Sequence, residues 1–386
     1  MSPLSVRSLA NLPKVSTTKP SNISPPIELS VLISFYCRTS PRGGECLRIS
    51  DYFEAGTPAA LLAWGQLDST LAKTTHGLLR HSRVLKPVCV VAEQAGKRAS
   101  DFVNPVRYDV PIVDNLKDAA RLGAKVLVIG IASVGGYLPP IMKQHVLDAI
   151  SLGMDILSGL HMKLSETEPF KSAAKTAKVR IIDVRHYNGE LSIFRGDIFK
   201  SRSVRIAVLG SDCATGKRTT ALQLYEFALK KGLSAAFLAT GQTGIMLGAD
   251  EGVAIDALPA DFIPGVIEKL ILKLESEGKK LIFVEGQGAL RHPAYGQVTL
   301  GLIYGSMPQM SVFVHDPGRK RFEYFETIDM KPNVDAEIDL VQKFVATKVL
   351  GISCLDQNFK HEVYPVFNPF DEGQIEKIFE RMGAML

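Results

Sequence analysis

One segment combines residue types that bind phosphate groups between an apolar strand and a helix. Residues 204–209 are mostly apolar, Gly210 and Gly216 bound the loop that follows, and Lys217 comes two residues before the start of the predicted helix. A loop that opens a helix directs unpaired backbone N–H groups and the positive end of the helix dipole toward one point. Glycine allows close approach of the ligand, and lysine supplies a mobile cation. We therefore predict that residues 210–220 bind a ligand that carries phosphates.

The spacing of this loop departs from the common P-loop pattern. Five residues, where four are usual, separate Gly210 from Gly216, and Arg218 occupies the position where serine or threonine usually meets magnesium. An ordinary strand-to-helix turn with an exposed lysine stays an alternative. The predicted cofactor-binding residues are Gly210, Ser211, Asp212, Cys213, Ala214, Thr215, Gly216, Lys217, Arg218, Thr219 and Thr220.

A second segment ends an apolar strand in an acid, as an enzyme with a phosphate loop requires. Residues 281–284 are apolar and lead into Glu285, with glycines at positions 286 and 288. Such a carboxylate binds magnesium or positions a reactive group beside the phosphates. If the ligand is ATP with Mg²⁺, the predicted metal ligands are Asp212, Glu285 and Thr219.

Further polar side chains follow other predicted strands. The carboxyl ends of parallel strands meet at one edge of a sheet, so we expect these side chains to converge there. Arginine binds carboxylates through its planar fork, and a glutamate or histidine can take the proton that an ammonium loses before attack. For each histidine taken alone, a structural role is the stronger alternative. The predicted catalytic residues are Lys217, Glu285, His292 and His315, and the predicted substrate-binding residues are Gln242, Thr243, Asp256, Gln287, Arg291 and Arg319.

The composition excludes several classes of protein. A chain of 386 residues with 46% hydrophobic and 22% charged residues is typical of a soluble protein with two domains. The net charge of +5 comes without any Lys/Arg-rich run, which argues against a nucleic-acid partner. No apolar segment approaches the roughly 20 residues of a membrane span. Five scattered cysteines without a CxxC pair indicate neither a zinc site nor a disulfide framework. We expect a cytoplasmic protein that forms a homo-oligomer.

Short apolar runs alternate with helical patterns along the chain, which predicts parallel α/β domains. We expect a flexible N-terminal extension over residues 1–47, a Rossmann-like domain over 48–195 and a P-loop domain over 196–386. Residues 1–27 are rich in Ser, Thr and Pro and contain no acid, so a cleaved organelle-targeting peptide is an alternative to a flexible tail. No GxGxxG motif occurs, and oxidoreduction with a nicotinamide cofactor is poorly supported.

The boundaries of the elements follow from the same patterns. Predicted strands cover residues 59–64, 87–92, 126–132, 155–158, 179–184, 204–209, 235–239, 281–284, 310–315 and 348–352. Predicted helices cover residues 68–82, 115–122, 139–152, 168–176, 219–230, 263–277 and 372–382. Residues 239–244 are predicted to form a turn rich in hydrogen-bonding side chains.

Several of these motifs together resemble a two-domain family of long-unassigned function. The segment 210–220 is similar to the family's Gly-Thr-Asp-Cys-Ala-x-Gly-Lys-x-Thr-Thr, and the segments 72–80, 158–161, 239–244 and 284–293 resemble further blocks. The resemblance implies a Rossmann-like N-terminal domain and a P-loop C-terminal domain. Members with an assigned activity are N-acetyltransferases that use acetyl-CoA on D-amino acids, notably D-glutamate.

The P-loop half is also similar to dethiobiotin synthetase, whose loop reads Gly-Thr-Asp-x-x-x-Gly-Lys. That similarity accounts for the additional loop residue and implies that Asp212 organises a metal or the loop itself. The leading hypothesis is acetyl transfer from acetyl-CoA to a small-molecule amino acid, with Gly216 and Lys217 holding CoA phosphates. The alternative is an ATP/Mg²⁺-dependent kinase or ligase that acts on an amino acid or carboxylate. A nucleotide-gated regulator without turnover is a third possibility.

Overall fold

The computed structural model describes residues 48–325, 327 and 329–385. The predicted extension over residues 1–47, with its possible targeting segment 1–27, lies outside the described residues. Within the described part, the chain forms two parallel β-sheets flanked by helices. No helix in that part is both long enough and apolar enough to cross a membrane.

The first sheet has the strand order β3-β2-β1-β4-β5-β6, the order of doubly wound Rossmann folds. Its strands are β1 Thr57–Leu62, β2 Leu85–Val91, β3 Ile112–Val113, β4 Val126–Ile129, β5 Asp155–Ser158 and β6 Ile181–Asp183. Its helices are α1 Lys73–His81, α2 Leu116–Arg121, α3 Pro140–Ser151 and α4 Phe170–Ala177. The strand order reverses between β1 and β4, and this is the point at which such sheets bind ligands.

The second sheet carries the phosphate loop near its centre, in the order β13-β12-β11-β7-β10-β8-β9. Its strands are β7 Val204–Gly210, β8 Ala235–Ala239, β9 Glu251–Gly252, β10 Leu281–Glu285, β11 Met310–Val314, β12 Lys348–Ser353 and β13 Val366–Phe367. Its helices are α5 Lys217–Lys230, α6 Gln242–Met246, α7 Ile263–Ser276, α8 Gly296–Ser306, α9 Val334–Phe344 and α10 Glu372–Met385. β7 pairs with β10 on one side and with β11 on the other, so Gly210 and Glu285 end neighbouring strands.

The strands are apolar because helices cover both faces of each sheet. Along β1, Ala59 and Leu61 belong to one hydrophobic cluster, while Ala60 and Leu62 belong to another on the opposite face. The first of these clusters continues into the second half of the chain, where it includes Phe237. The two halves thus share one core, and the predicted two-domain α/β fold is confirmed.

Helix α1 of the first half packs against α6 of the second half. Their hydroxyl side chains meet across this contact, with Thr74 Oγ1 2.8 Å from Thr243 Oγ1. The backbone N–H of Arg83 donates to the Leu247 carbonyl at 3.0 Å just beyond it. These contacts bring the carboxyl edge of the first sheet against the phosphate loop of the second.

Candidate functional site

A cavity of about 730 Å³ lies between the two halves. The first half contributes α1, the glycine turn after β4 and residues that follow β5 and β6, while the second half contributes the phosphate loop and the ends of β8 and β10. The cavity therefore lies at the switch point of the first sheet, where the edges of both sheets meet. Its charged and histidine lining residues are Lys73, His76, Arg80, His81, His161, Arg185, Lys217, Arg218, Asp256 and Glu285.

The phosphate loop has the backbone conformation that its glycines predict. Gly216 has φ 105°, a left-handed conformation that side chains rarely adopt. A Cβ at Gly210 would lie 2.8 Å from the Val314 carbonyl oxygen, so a larger residue does not fit there. Lys217 opens α5, is only 6% exposed, and its Nζ donates to the Asp212 carbonyl. Burial lowers the pKa of this ammonium, so an anion in the cavity would favour its charged form.

Arg218 reaches from the loop across to the first half of the chain. Its Nη2 donates to the Lys73 carbonyl oxygen at 3.3 Å, and a Cβ at Gly77 would lie 3.3 Å from the same nitrogen. Its Nε is buried without a hydrogen-bond partner in the described part of the chain. Burial lowers the pKa of Arg218, and the negative charge of Glu285 opposes this effect. The residue at the usual magnesium-hydroxyl position thus supplies a cation at the junction of the two halves.

Glu285 ends β10 beneath the cavity and is held by the backbone after β8. The Thr240 N–H donates to Glu285 Oε2 at 3.2 Å, and the Thr240 hydroxyl donates to the Glu285 carbonyl at 2.7 Å. A Cβ at Gly244 would lie 2.4 Å from Oε2, so glycine is required for the carboxylate to occupy this place. Burial raises the pKa of Glu285, while Arg218 and backbone N–H groups act in the opposite direction.

One face of α1 forms the opposite wall of the cavity. Lys73, His76, Gly77 and Arg80 line the cavity and follow the 3.6-residue repeat of a helix. Burial, and next the charge of Arg218, lower the pKa of the Lys73 ammonium. The sequence reasoning assigned no role to these residues, although the segment 72–80 contributed to the family resemblance. Their spacing in the predicted helix was the signal that could have revealed them.

A second polar cluster extends the wall contributed by the first half. Arg185 Nε donates to the Gly159 carbonyl at 2.9 Å, and Nη1 lies 3.0 Å from His161 Nε2. Nη1 also pairs with Asp256 Oδ2, which lies in the second half. A Cβ at Gly136 would lie 2.3 Å from the His161 ring, so glycine at this position makes room for the imidazole. Of these residues, the sequence predicts only Asp256 as part of the site.

Asp212 ties the phosphate loop to a neighbouring segment. Its Oδ1 accepts the Cys213 N–H at 2.6 Å, and its Oδ2 accepts Arg319 Nη1 at 2.8 Å and the Glu323 N–H at 3.0 Å. Arg319 also pairs with the Glu323 carboxylate at 2.7 Å. Of the two roles that the resemblance implies for Asp212, these contacts fit organisation of the loop.

His292 and His315 lie beside the same loop, and neither occurs among the described residues that line the cavity. His292 is buried, its Nε2 lies 3.1 Å from the Glu323 carbonyl, and its Nδ1 accepts the Ala294 N–H at 3.2 Å. His315 Nδ1 lies 2.7 Å from the Ser211 hydroxyl oxygen. Both ring nitrogens of His292 are therefore engaged.

The predicted residues fall into two groups. Those that line the cavity are Cys213, Ala214, Gly216, Lys217, Arg218, Thr219, Gln242, Thr243, Asp256, Glu285 and Gln287. The other predicted residues do not occur among the described residues that line the cavity: Gly210, Ser211, Asp212, Thr215, Thr220, Arg291, His292, His315 and Arg319. The roles given to both groups stay predictions.

The Cys213 thiol lies in the cavity wall. Burial raises its pKa to about 11, so this thiol is protonated at neutral pH.

Asp212, Cys213 and His292 each bring one ligand atom within 4.8 Å of the others, a spacing that could hold a metal. The carboxylate of Asp212 already accepts three hydrogen bonds, and His292 Nε2 donates to a carbonyl. Glu285 and Thr219, the other predicted magnesium ligands, line the cavity, whereas Asp212 does not occur among its described lining residues. The contacts of Asp212 thus hold the loop, and its role as a metal ligand stays a prediction.

Comparisons with known proteins give one consistent result. Residues 192–365 match a family model described as a domain of unknown function, the DUF1611 P-loop domain, and residues 92–187 match the DUF1611 Rossmann-like domain. The D-glutamate N-acetyltransferase of Tritonibacter scottomollicae is 34% identical over 252 residues, which cover 64% of this chain and 74% of that protein. The D-glutamate N-acetyltransferase of a Pseudoalteromonas species is 38% identical over 198 residues, which cover 51% of this chain and 58% of that protein.

The fold is also that of a solved relative. A crystal structure of a DUF1611 family protein from Anabaena variabilis superposes with a TM-score of 0.74 at 28% identity. The superposition covers 84% of this chain and 100% of the other. Together with the family matches, it confirms the resemblance that the sequence motifs predict.

Proposed function

This chain belongs to the DUF1611 family, and from that premise we propose that it is an N-acetyltransferase that moves an acetyl group from acetyl-CoA to the amine of a D-amino acid such as D-glutamate. The observation that carries the proposal is a cavity with the phosphate loop in one wall and cationic side chains in the other. Two relatives that are named D-glutamate N-acetyltransferases support the same reaction.

The charge of the cavity suits two anionic substrates. Five lysine and arginine side chains line it against two carboxylates, Asp256 and Glu285. The cations come from both halves and are Lys73, Arg80, Arg185, Lys217 and Arg218. Acetyl-CoA carries phosphates and glutamate carries two carboxylates, so each substrate requires cationic partners.

Each wall of the cavity would bind one of the two substrates. Gly216 and Lys217 would hold CoA phosphates through backbone N–H groups and the ammonium, with Arg218 as a further cation. Lys73 and Arg80 in the opposite wall would bind the carboxylates of the amino acid. Two other arginines are already engaged, since Arg185 pairs with Asp256 and Arg319 pairs with Asp212. In this arrangement the thioester of one substrate meets the amine of the other between the walls.

The alternative, an ATP/Mg²⁺-dependent kinase or ligase, has one supporting observation. Thr219 and Glu285 line the same cavity as the phosphate loop, and hydroxyl and carboxylate oxygens are magnesium ligands. Two observations oppose it. Arg218 occupies the position of the serine or threonine whose hydroxyl usually binds magnesium. The Asp212 carboxylate is hydrogen-bonded to Arg319 and to a backbone N–H group.

The test is product analysis by mass spectrometry after incubation with acetyl-CoA and a panel of D- and L-amino acids. The proposal expects an N-acetylated D-amino acid and one equivalent of free CoA thiol. Lys217→Gln should lower kcat/KM for acetyl-CoA at least tenfold, because a charged contact to phosphate is lost. Lys231→Gln is the matched control, since Lys231 is half exposed just past the end of α5 and pairs with Glu376.

Two results would contradict the proposal. One is the absence of acetylated product with every amino acid in the panel. The other is release of ADP from ATP that requires both Mg²⁺ and an amino acid, which would identify the kinase or ligase activity.

A further inference from the structure

We propose that His76 is the base that takes a proton from the substrate amine, and that His161 donates a hydrogen bond to the thioester oxygen as negative charge develops on it. This inference rests on the proposed acetyl transfer. Both histidines line the cavity from the first half of the chain, outside the phosphate loop. Hydrogen bonds hold their imidazoles in opposite tautomers.

The tautomer of His76 follows from its partner. His76 Nε2 lies 2.7 Å from the Leu67 carbonyl oxygen, which can only accept a hydrogen bond. Nε2 therefore carries the hydrogen, and the lone pair of the neutral ring is on Nδ1. Within residues 48–325, 327 and 329–385, Nδ1 has no hydrogen-bond partner, so a ligand in the cavity could provide one. His76 is thus oriented as a base.

The tautomer of His161 is the reverse. Its Nε2 lies 3.0 Å from Arg185 Nη1, and a guanidinium can only donate. Nε2 therefore accepts, and the hydrogen of the neutral ring is on Nδ1. Arg185 is itself held by the Gly159 carbonyl and by Asp256, so the direction of this bond is fixed. The His161 side chain is 46% exposed, which leaves Nδ1–H available to a ligand.

Burial, more than any neighbouring charge, lowers the pKa of both rings and favours their neutral forms at pH 7. For His76, burial and the charge of Arg80 lower the pKa, against the opposing effect of the Leu67 carbonyl. For His161, burial, Arg185 and His186 lower the pKa, and only Asp256 raises it. A neutral His76 can accept a proton, and a neutral His161 can donate a hydrogen bond without first being protonated.

The transfer balances with these two groups. The substrate ammonium loses one proton to His76 Nδ1, and this proton passes to solvent. The amine nitrogen then attacks the thioester carbonyl carbon, whose oxygen gains negative charge beside His161 Nδ1–H. As the C–S bond breaks, the second nitrogen proton moves through His76 to the sulfur. The products are the N-acetyl amino acid, CoA thiol and one proton.

The other histidines that the sequence predicts do not offer this chemistry. His292 uses both ring nitrogens in hydrogen bonds to backbone atoms, and His315 Nδ1 contacts the Ser211 hydroxyl outside the cavity. A residue that acts on the substrate must lie in the cavity wall with a polar atom to spare. His76 and His161 lie there, and within the described residues a hydrogen bond occupies only one ring nitrogen of each.

The first experiment is His76→Gln, assayed for acetylation of the amino acid that the wild type uses. The glutamine amide can keep the hydrogen bond to Leu67 but cannot take a proton. We expect kcat to fall by about 10²–10⁴, the contribution of general base catalysis. An aminooxy analogue, whose nitrogen is unprotonated at pH 7, should lose much less activity. His145→Gln is the matched control, because His145 stacks on Trp64 and is not among the lining residues.

The second experiment is His161→Phe, which removes the donor and keeps an aromatic ring. We expect kcat to fall by about 10²–10³ with little change in KM, as for the loss of one oxyanion donor. The decline of kcat at acidic pH should persist in this variant and disappear in His76→Gln. A merely structural role for either histidine would not produce this difference.

The possible outcomes distinguish a failure of the His76 assignment from a failure of the proposed acetyl transfer. If the wild type acetylates nothing, the proposed function fails. If the wild type is active but His76→Gln retains its kcat within about threefold, His76 is not the base. A measurement without variants serves if His76→Gln does not fold: wild-type kcat should decline as the pH falls below the usual histidine range. A kcat that is flat over the whole acidic range in which the protein stays folded would overturn the assignment.

Discussion

Replacing Arg185 with methionine perturbs the wall of the cavity that the first half contributes. The guanidinium joins three partners: the Gly159 carbonyl, His161 Nε2 and Asp256 Oδ2. The Arg185 side chain is only 7% exposed, and methionine fills similar volume without donating a hydrogen bond. The variant therefore removes the contacts and leaves their acceptors in place.

The cost in stability follows from these acceptors. A hydrogen bond to a charged group contributes about 1.5–3 kcal/mol, and one between neutral groups about 0.5–1.5 kcal/mol. The Asp256 side chain is 23% exposed, so water relieves part of the penalty of an unpaired carboxylate. We expect Arg185→Met to lower the free energy of unfolding by about 2–4 kcal/mol.

The variant should also raise the pKa of His161. Arg185 lowers this pKa and Asp256 raises it, so the pKa rises when Arg185 is lost. The imidazolium keeps its Nδ1–H, so protonation of His161 does not remove the donor. We therefore expect the His161 imidazole to titrate at a higher pH than in the wild type, while the acidic decline of kcat, which we assign to His76, stays at the same pH.

Urea denaturation followed by circular dichroism, NMR titration of the His161 imidazole, and kcat measured from pH 5 to 9 test these expectations. Arg121→Met is the control, because Arg121 pairs with Asp118 at an exposed surface site and should cost at most about 1 kcal/mol. If the two variants are equally stable, or if the pKa of His161 does not rise in Arg185→Met, the interpretation of this cluster is wrong.

Two further predictions concern single residues. Gly136→Ala should lower kcat and cost about 2–5 kcal/mol, because φ is 69° and the methyl would also meet the His161 ring; Gly96→Ala, with φ 87° and open space, should cost only the backbone strain of about 1–2 kcal/mol. His81 is buried with Nε2 unpartnered in the described residues, and burial lowers its pKa to about 4. The unfolded chain therefore binds more protons than the folded chain below pH 6.5. The contribution of His81 to stability is complete above pH 6.5 and should fall by up to about 3 kcal/mol as the pH approaches 4. Urea titrations at a series of pH values measure this decline, and it should be smaller in His81→Leu.

The phosphate loop could be predicted because its signal is local. Glycine spacing, a lysine and an apolar strand lie within residues 204–220, and the fold of that segment depends little on distant residues. The acid at the end of β10 follows the same rule. The loop follows β7 and Glu285 ends the neighbouring strand β10. Lys217 and Glu285 therefore both lie in the cavity wall, as the sequence predicts.

The wall from the first half could not be predicted in the same way. Arg185 of the first half meets Asp256 of the second half only because the two halves pack together, and their contacts, such as that of α1 with α6, join segments far apart in the chain. The segment 239–244 was predicted to be a turn, yet Gln242–Met246 forms α6. This short helix is fully buried, and tertiary contacts decide its conformation.

Helix α8 shows why a helix can escape detection. Gly296–Ser306 contains interior glycines, which weaken a helix. A Cβ at Gly301 would lie 2.8 Å from the Ile263 side chain, and one at Gly305 would lie 2.6 Å from the Pro264 carbonyl. Close packing of α8 on α7 therefore requires small residues, and this packing outweighs helix propensity.

Titration calorimetry measures whether the phosphate loop holds CoA opposite the wall that binds the amino acid. CoA, acetyl-CoA and ATP, each with and without Mg²⁺, would be titrated into the wild type, Lys217→Gln and Lys231→Gln. We expect acetyl-CoA to bind without Mg²⁺, and of the two variants only Lys217→Gln to weaken this binding at least tenfold, which is about 1.4 kcal/mol. Binding of ATP that requires Mg²⁺, together with acetyl-CoA binding that is absent or unchanged in Lys217→Gln, would show that the loop serves ATP instead.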